Sequence, residues 1–187
     1  MNIIDFNSHA RRIIADRSAT LVQTNQALYE YATGALGVQE AARAASLSLI
    51  SAPDLAGVIR TVTQQWPSEL DIDMVGLALV AHDEAFRAGP EGIQRLPARR
   101  VRAWAQGGEG VHLRAVEGAT QLFGDAGEGV KTVGVAPLTL PRPLGLGILA
   151  FGSLRASPPS AMDDSGLLDF LAAAVSRKLT SCLTQVH

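Results

Sequence analysis

Two apolar segments joined by a proline-rich tripeptide constrain the fold of this chain more than any other feature of its sequence. Residues 130–140 and 144–153 each have the length and composition of a buried strand. Between them stands Pro141-Arg142-Pro143, which is a strong turn signal. The sequence therefore predicts two strands in direct succession, with no helix between them.

The second strand contains a glycine pattern that also occurs in nucleotide-binding loops. Residues 145–150 are Gly-Leu-Gly-Ile-Leu-Ala and match the G-x-G-x-x-G/A pattern of dinucleotide-binding proteins. Such a loop needs a strand before it, a helix directly after it and further parallel strands. Here a turn precedes the glycines, residues 151–159 cannot open a helix, and only one helix is predicted after them. We therefore interpret the glycines as strand residues that permit close backbone approach, and we predict no cofactor.

Composition places the chain among ordinary globular proteins. Its 187 residues suit a single domain, and 47% of them are hydrophobic while 18% are charged. The net charge of −2 predicts no general attraction to nucleic acid or to an anionic membrane. The single cysteine, Cys182, excludes an internal disulfide and any site built from several cysteines.

The N-terminal residues and the hydropathy pattern predict a cytoplasmic protein that does not enter a membrane. A signal peptide needs an unbroken apolar core, but Asp5 and two arginines interrupt residues 1–14. No apolar stretch approaches the ~20 residues that span a bilayer. Both observations favour the cytoplasm.

Residues 5–34 are predicted to form a long N-terminal helix. Ile14, Leu21 and Leu28 recur at seven-residue intervals, which is typical of a helix packed along another helix. This stripe predicts the interface of a homodimer built from the terminal helices. Polar Ser18 lies between the apolar positions, so a helix packed on its own domain is the alternative.

The rest of the chain predicts further helices and strands. Helices are predicted over 38–51, 53–66, 117–123 and from Asp163 or Asp164 onward. Strands are predicted over 71–80, within 92–102 and over 110–114. Pro67 is expected to end the second helix, because the residue before a proline is displaced from the α region. The last helix has one apolar stripe, formed by Leu168, Leu171, Val175, Leu179 and Cys182.

Three stretches make the chain resemble GAF domains. They are residues 53–79, residues 121–138 with Gln-Leu-Phe-Gly before a strand ending in Pro-Leu, and residues 144–171 with Gly-Ser at 152–153 and Asp-Phe-Leu at 169–171. The second and third are most similar to a bacterial family of unknown function with an N-terminal helix and one GAF-like domain. At 155–161, where that family has an Arg-Phe-His-Pro-Gly-like loop, this chain has Arg-Ala-Ser-Pro-Pro-Ser-Ala.

The resemblance implies an α/β (α+β) fold with a central antiparallel sheet. Residues 72–80, 131–139 and 145–153 belong to that sheet, and helices flank it. The resemblance also implies two parts: a long N-terminal helix over 1–34 and a GAF-like domain over 35–187.

Two functions follow from the resemblance. Many GAF domains bind a small molecule in a pocket between the sheet and the short middle helices, and others act as dimerisation modules without a known ligand. The chain is therefore expected to be a non-catalytic sensory or regulatory module that signals to a separate partner, or else a structural adaptor. It is not expected to be an enzyme, because the cysteines used by GAF-type methionine sulfoxide reductases have no counterparts in it.

The arginine-rich segment around Trp104 holds the predicted ligand-binding residues. Arg102, Trp104 and His112 fall where the resemblance places a wall of the pocket, and guanidinium groups bind carboxylates and phosphates. If this segment is a strand, Arg100, Arg102 and Trp104 share one face. The alternative is a solvated surface without a ligand.

No metal site is predicted. The four histidines have no metal-ligand spacing among themselves. Residues 82–84, His-Asp-Glu, follow a predicted strand directly, and we interpret them as a solvated turn.

Overall fold

The computed structural model describes residues 36–89, 92–106, 112–114, 118–142, 144–156, 162 and 165–184. Residues 38–187 cluster into one compact unit. The predicted N-terminal helix, with Ile14, Leu21 and Leu28, lies outside the described residues. That helix, its stripe and the boundary at residue 34 therefore stay predictions.

The helical elements appear in the predicted order. Residues 36–51 are helical and are called α1; α2 is Leu55–Arg60, and a π-helical segment, Thr61–Gln65, leads directly into α3, Trp66–Glu69. Further along, α4 is Ala98–Ala105, α5 is Ala119–Phe123 with a 3-10 turn at Gly124–Gly127, and α6 is Ser165–Thr184. The predicted start of α6 at Asp163 or Asp164 lies outside the described residues.

Six strands form one sheet in which every pair of neighbours is antiparallel. They are β1 (Met74–Ala81), β2 (Glu84–Gly89), β3 (Gly92–Pro97), β4 (His112–Arg114), β5 (Thr132–Thr139) and β6 (Leu146–Ser153). Their order across the sheet is β3-β2-β1-β6-β5-β4. This confirms the predicted antiparallel α+β fold, including all three predicted sheet segments.

Alternation along the strands sends side chains into two cores, one on each face of the sheet. The first lies against α1, α2, α3 and α6 and includes Val58, Trp66, Leu77, Leu149, Phe151, Leu171 and Val175. The second lies against α4 and α5 and includes Ala78, Val101, Trp104, Leu122, Phe123, Val135 and Ile148. The predicted apolar stripe of α6 is buried in the first core.

The glycines of the nucleotide-like pattern lie in and beside β6. At Gly147 an added Cβ would stand 2.9 Å from Leu79 Cδ2 and 3.0 Å from the Ala78 carbonyl oxygen. The chain stays extended to Ser153, where a dinucleotide loop needs a helix. The interpretation as strand glycines that allow close approach is confirmed.

Pro67 does not end its helix, contrary to the prediction. The π-helical segment precedes it, and Pro67 occupies the first turn of α3, which continues to Glu69. The first turn of an α-helix tolerates a proline, because the fixed φ of proline suits that position. Here the change from π-helical to α-helical hydrogen bonding occurs just before the proline.

The segment 92–102 was predicted to contain a strand, and only its first half does. β3 ends at Pro97 and α4 begins at Ala98, so Arg102 and Trp104 lie on a helix and the expected shared strand face does not exist. Sequence inspection also missed β2, which follows a two-residue turn at His82 and Asp83. Both turn residues are exposed, as the interpretation of a solvated turn requires.

Candidate functional site

A cavity of about 160 Å³ lies where β1 begins and β2 ends. Its walls combine these strands with the π-helical segment, α5 and the following 3-10 turn. The lining residues are Thr63, Asp73, Met74, Val75, Gly76, Arg87, Gly89, Leu122, Phe123 and Ala126. The cavity is therefore mainly apolar, with three polar side chains in its wall.

Small residues on one face of β1 and β2 make room for this cavity. Ala78 pairs with Arg87, so Gly76, Ala78 and Gly89 all lie on the same face as the arginine. Above Gly76, an added Cβ would stand 3.0 Å from the Leu122 carbonyl oxygen. Around Gly89, by contrast, nothing lies within 4 Å of an added Cβ. The sheet is thus close to α5 at Gly76 and leaves open space at Gly89.

Arg87 is the principal polar group of the cavity wall. Its exposed fraction is 4%, and among the arginines whose side chains the structure describes it is the only buried one. Its Nη2 donates a hydrogen bond to Gln94 Oε1 on β3, the residue directly opposite in the sheet. Neighbouring Arg95, in comparison, has 78% of its side chain exposed. β2 therefore holds a guanidinium away from bulk water, in contact with the cavity.

Thr63 brings the π-helical segment to the same cavity. The threonine is buried, and its hydroxyl donates to the Ile59 carbonyl oxygen at 2.8 Å. Three residues later, Trp66 Nε1 donates to the Ala45 carbonyl oxygen at 3.1 Å and lies 3.3 Å from Ser48 Oγ, both in α1. Short π-helical segments occur frequently at functional sites. Here the segment links the cavity wall to α1.

Asp73 contributes a carboxylate at the exposed side of the cavity. Its Oδ2 accepts a hydrogen bond from the Leu154 backbone N–H at 2.8 Å and from Ser153 Oγ at 2.9 Å. These bonds, the Leu154 contact foremost, hold the pKa of Asp73 below its ordinary value, with nearby Arg155 adding to the effect. The side chain is therefore anionic at neutral pH.

Two of the predicted ligand-binding residues, Arg102 and Trp104, do not line this cavity. Trp104 is buried in the second core, where an added Cβ at Gly118 would stand 3.0 Å from its Cζ2. Arg102 Nη2 donates to the His82 carbonyl oxygen at 2.7 Å, beside the β1–β2 turn. His112 begins β4. Whether these three residues contact a ligand stays a prediction.

Sequence inspection missed Arg87 because it missed the strand that holds it. Residues 84–89 alternate as Glu-Ala-Phe-Arg-Ala-Gly, and that alternation was the available signal. The cavity that the arginine lines also needs residues of α5, which residues 84–89 do not encode. The small residues that surround it, Gly76 and Ala78, lie on a different strand.

The described residues contain no group of three or more His, Cys, Asp or Glu side chains that could hold a metal ion. The cysteine, Cys182, is buried in the first core and does not line the cavity. No helix in the part of the chain that the structure describes is both long and apolar enough to cross a membrane.

A second, larger concavity of about 580 Å³ lies between α1 and α6. Apolar residues Leu49, Ile50 and Phe170 line it together with Arg177 and Lys178. Lys178 Nζ donates to the Ile50 carbonyl oxygen at 3.0 Å and thereby joins the two helices. Exposed fractions of 69% for Ile50 and 53% for Phe170 mark this as an apolar surface.

Comparison with solved structures finds the same fold in several proteins of low sequence identity. The free methionine-R-sulfoxide reductase of Neisseria meningitidis, solved with its substrate, is similar over 82% of this chain and 93% of its own, at 21% identity and a TM-score of 0.60. A phycoerythrobilin-bound GAF domain from a cyanobacterial phytochrome is similar over 80% of this chain and 98% of its own, at 14% identity and a TM-score of 0.59. The GAF domain of a phosphoenolpyruvate-protein phosphotransferase from Coxiella burnetii is similar over 81% of this chain and 98% of its own, at 13% identity and a TM-score of 0.56.

No protein-family model matches the sequence, and a search of curated proteins finds no match. The structural similarity extends over most of the chain and shows that it has the GAF fold. The fold implied by the sequence resemblance is thereby confirmed.

Proposed function

We propose that this chain is a non-catalytic regulatory module of the cytoplasm that binds a small molecule in the cavity between β1, β2 and α5. The supporting observation is a buried arginine in the wall of an otherwise mainly apolar cavity. Small-molecule sites combine apolar walls with a few precisely placed polar groups, and Arg87, Thr63 and Asp73 form such a set.

The volume of the cavity limits the ligand to a small one. A dry protein cavity of about 150 Å³ accommodates benzene, whereas pockets for drug-sized ligands run to several hundred Å³. At about 160 Å³ this cavity suits a molecule of roughly six to eight non-hydrogen atoms. It is too small for a bilin or a dinucleotide unless the walls move.

The contacts around Thr63 support a regulatory role. A ligand in the cavity touches the π-helical segment, and that segment continues into Trp66, whose indole bonds to α1. Occupancy of the cavity can therefore change the position of α1. From α1, the proposed signal passes to a separate partner protein.

Two solved neighbours bind small molecules in the same fold, the reductase with its substrate and the phytochrome domain with its bilin. They support the use of this fold for ligand binding. Reductase chemistry is not part of the proposal, because Cys182 lies in the opposite core from α5.

Native mass spectrometry of the purified full chain tests the proposal. We expect a fraction of the protein to retain a small added mass. Gly89→Val should abolish that retention, since its side chain would enter the open space beside Gly89 without a clash. The matched control is Ile93→Val on exposed β3, which should retain the mass. Retention by Gly89→Val equal to that of the wild type would contradict binding at this cavity.

The alternative, a dimerising adaptor without a ligand, is favoured by the apolar surface between α1 and α6. Single exposed hydrophobic residues are ordinary, but contiguous apolar patches commonly mark association sites. Ile50 and Phe170 line one continuous concavity. A homodimer through the terminal helices, as the sequence predicted, is compatible with either function.

A further inference from the structure

We propose that the cavity binds a small monocarboxylate with an apolar body, and that the carboxylate lies on Arg87. This inference rests on the proposed function and names the chemical class of the ligand. It follows from the arrangement of charge and apolar surface around the cavity.

The wall of the cavity contains a buried cation, Arg87. Arg87 has five N–H donors in a planar fork, a geometry that matches a carboxylate. The hydrogen bond to Gln94 Oε1 holds the side chain in place. With 4% of the residue exposed, the guanidinium meets a ligand away from bulk water, where attraction between opposite charges is stronger.

Most of the cavity wall is apolar. Met74, Val75, Leu122 and Phe123 line it, and Gly76 and Gly89 expose only backbone. This surface suits an aliphatic or small aromatic group. Together with the volume, it limits the ligand to about six to eight non-hydrogen atoms including the carboxylate.

The wall of the cavity also contains an anion, and this selects against a second negative charge on the ligand. Asp73 lines the same small cavity and is ionised at neutral pH. Like charges in one site disfavour binding. Dicarboxylates and phosphate esters should therefore bind weakly, while an ammonium group on the ligand is tolerated.

The probes are 3-methylbutanoate, its neutral isostere 3-methylbutanamide, valine, which is 3-methylbutanoate with an added amino group, and succinate. Isothermal titration of the full chain should show binding of 3-methylbutanoate about ten- to a hundredfold tighter than of the amide, because a hydrogen bond between two charged groups is replaced by one to a neutral group. Succinate should bind more weakly than 3-methylbutanoate. Comparison of valine with 3-methylbutanoate decides whether the acid is an amino acid or lacks the amino group.

Three variants locate the binding. Arg87→Met should weaken the binding of 3-methylbutanoate by about tenfold or more and leave the affinity for the amide unchanged. Arg95→Met is the matched control, since this neighbouring arginine is exposed on β3, and it should bind like the wild type. Gly89→Val should block all probes without touching the guanidinium. If Arg87→Met does not fold, the affinities of the acid and of the amide are compared in the wild type and in Gly89→Val. That comparison still shows whether the cavity prefers the carboxylate.

The outcomes separate this inference from the proposed function. Equal affinity for acid and amide, or full acid affinity in Arg87→Met, would overturn the monocarboxylate class and leave a binding cavity in place. Tighter binding of succinate than of 3-methylbutanoate would also overturn it. Absence of saturable binding for every probe, together with no mass retained in native mass spectrometry, would overturn both proposals.

Discussion

Glycines set how closely neighbouring elements approach one another in this domain. At Gly152, an added Cβ would stand 2.7 Å from Met74 Cγ and 3.0 Å from Phe123 Cε2. At Gly127, it would stand 2.5 Å from the Ala119 carbonyl oxygen. Since α5 and its 3-10 turn lie against these glycines, the position of the helix above the cavity depends on the missing side chains.

Replacement of Gly147 by alanine should destabilise the domain by about 1–3 kcal/mol, as overpacking of a core does. The new methyl would meet the Ala78 carbonyl oxygen at 3.0 Å, and a backbone atom cannot rotate away. Gly89→Ala is the control, because it lies in a strand but meets nothing within 4 Å. Urea denaturation monitored by circular dichroism measures the free energy of unfolding of both variants. A Gly147→Ala midpoint equal to that of Gly89→Ala would contradict the close packing of β1 and β6.

Asp73 should make stability depend on pH in the acid range. Its pKa is lowered in the folded state, so its contribution is complete above the unfolded value of about 3.9 and is lost as the pH falls through the folded pKa. Asp73→Asn removes this titration. The Tm difference between wild type and variant should therefore be largest near neutral pH and should shrink as the pH falls below about 4.

The control for this experiment is a variant of the neighbouring ion pair. Asp71 and Arg155 are joined by two contacts of 3.0 Å on the surface, and that pair lowers the pKa of Asp71. An ion pair between two exposed groups contributes little to stability, whereas Asp73 accepts hydrogen bonds from Ser153 and from the Leu154 backbone. Asp71→Asn should therefore destabilise the domain less than Asp73→Asn at neutral pH. A constant difference between wild type and Asp73→Asn at every pH would show that the carboxylate charge does not matter.

At the scale of elements, the helix that starts after Asp54 joins two regions of the domain. Asp54 Oδ1 accepts a hydrogen bond from the Gly57 N–H at 2.7 Å and caps α2. The π-helical segment then presents Thr63 to the cavity, and α3 begins with the buried Trp66. A change of hydrogen-bonding pattern within one helix thus lies between the cavity and α1.

Trp66 should report occupancy of the cavity. The chain has two tryptophans, so Trp104→Phe leaves Trp66 as the only indole emitter. Saturation of this variant with a cavity ligand should shift the emission maximum or intensity of Trp66, because Thr63, three residues before it, lines the cavity. The same titration of Gly89→Val in that background should show no change. A ligand that binds by calorimetry yet leaves Trp66 emission unaltered would disprove transmission along this helix.

At the scale of the whole molecule, the exposed apolar surface between α1 and α6 predicts self-association. Sedimentation equilibrium of the full chain at tens of micromolar should give about twice the chain mass of 19.6 kDa. The double variant Ile50→Lys, Phe170→Lys should sediment closer to one chain mass, since it places charge on the exposed surface. Ile93→Lys is the control, being 68% exposed on the edge strand β3.

Removal of residues 1–33 tests the predicted stripe separately. If Ile14, Leu21 and Leu28 form the dimer interface, the truncated chain should sediment as a monomer while its Tm falls only slightly. A full-length chain that is monomeric at every concentration would contradict both parts of the dimer prediction.

Local pattern was sufficient to predict most elements of this domain. The apolar segments 130–140 and 144–153 with prolines between them predicted β5 and β6, and apolar residues at helical spacing predicted α2 and α6. These elements follow from local pattern, because strand alternation and helical periodicity are properties of a short segment. The predicted antiparallel sheet came from the resemblance to GAF domains and was confirmed in every strand pair.

Tertiary structure determined the cavity and its lining. The sequence predicted a ligand on Arg102, Trp104 and His112, and this stays a prediction; α4 stands where a strand was expected, Trp104 lies in the second core, and Arg102 bonds to the β1–β2 turn. Arg87 was not singled out, because the strand that holds it was missed, and the cavity that it lines also needs Gly76 and α5, which are distant in sequence. The amino-acid sequence by itself determined the elements and their faces, because those depend on near neighbours. Only the tertiary structure determined which polar side chain a cavity would enclose, because enclosure is a property of several elements packed together.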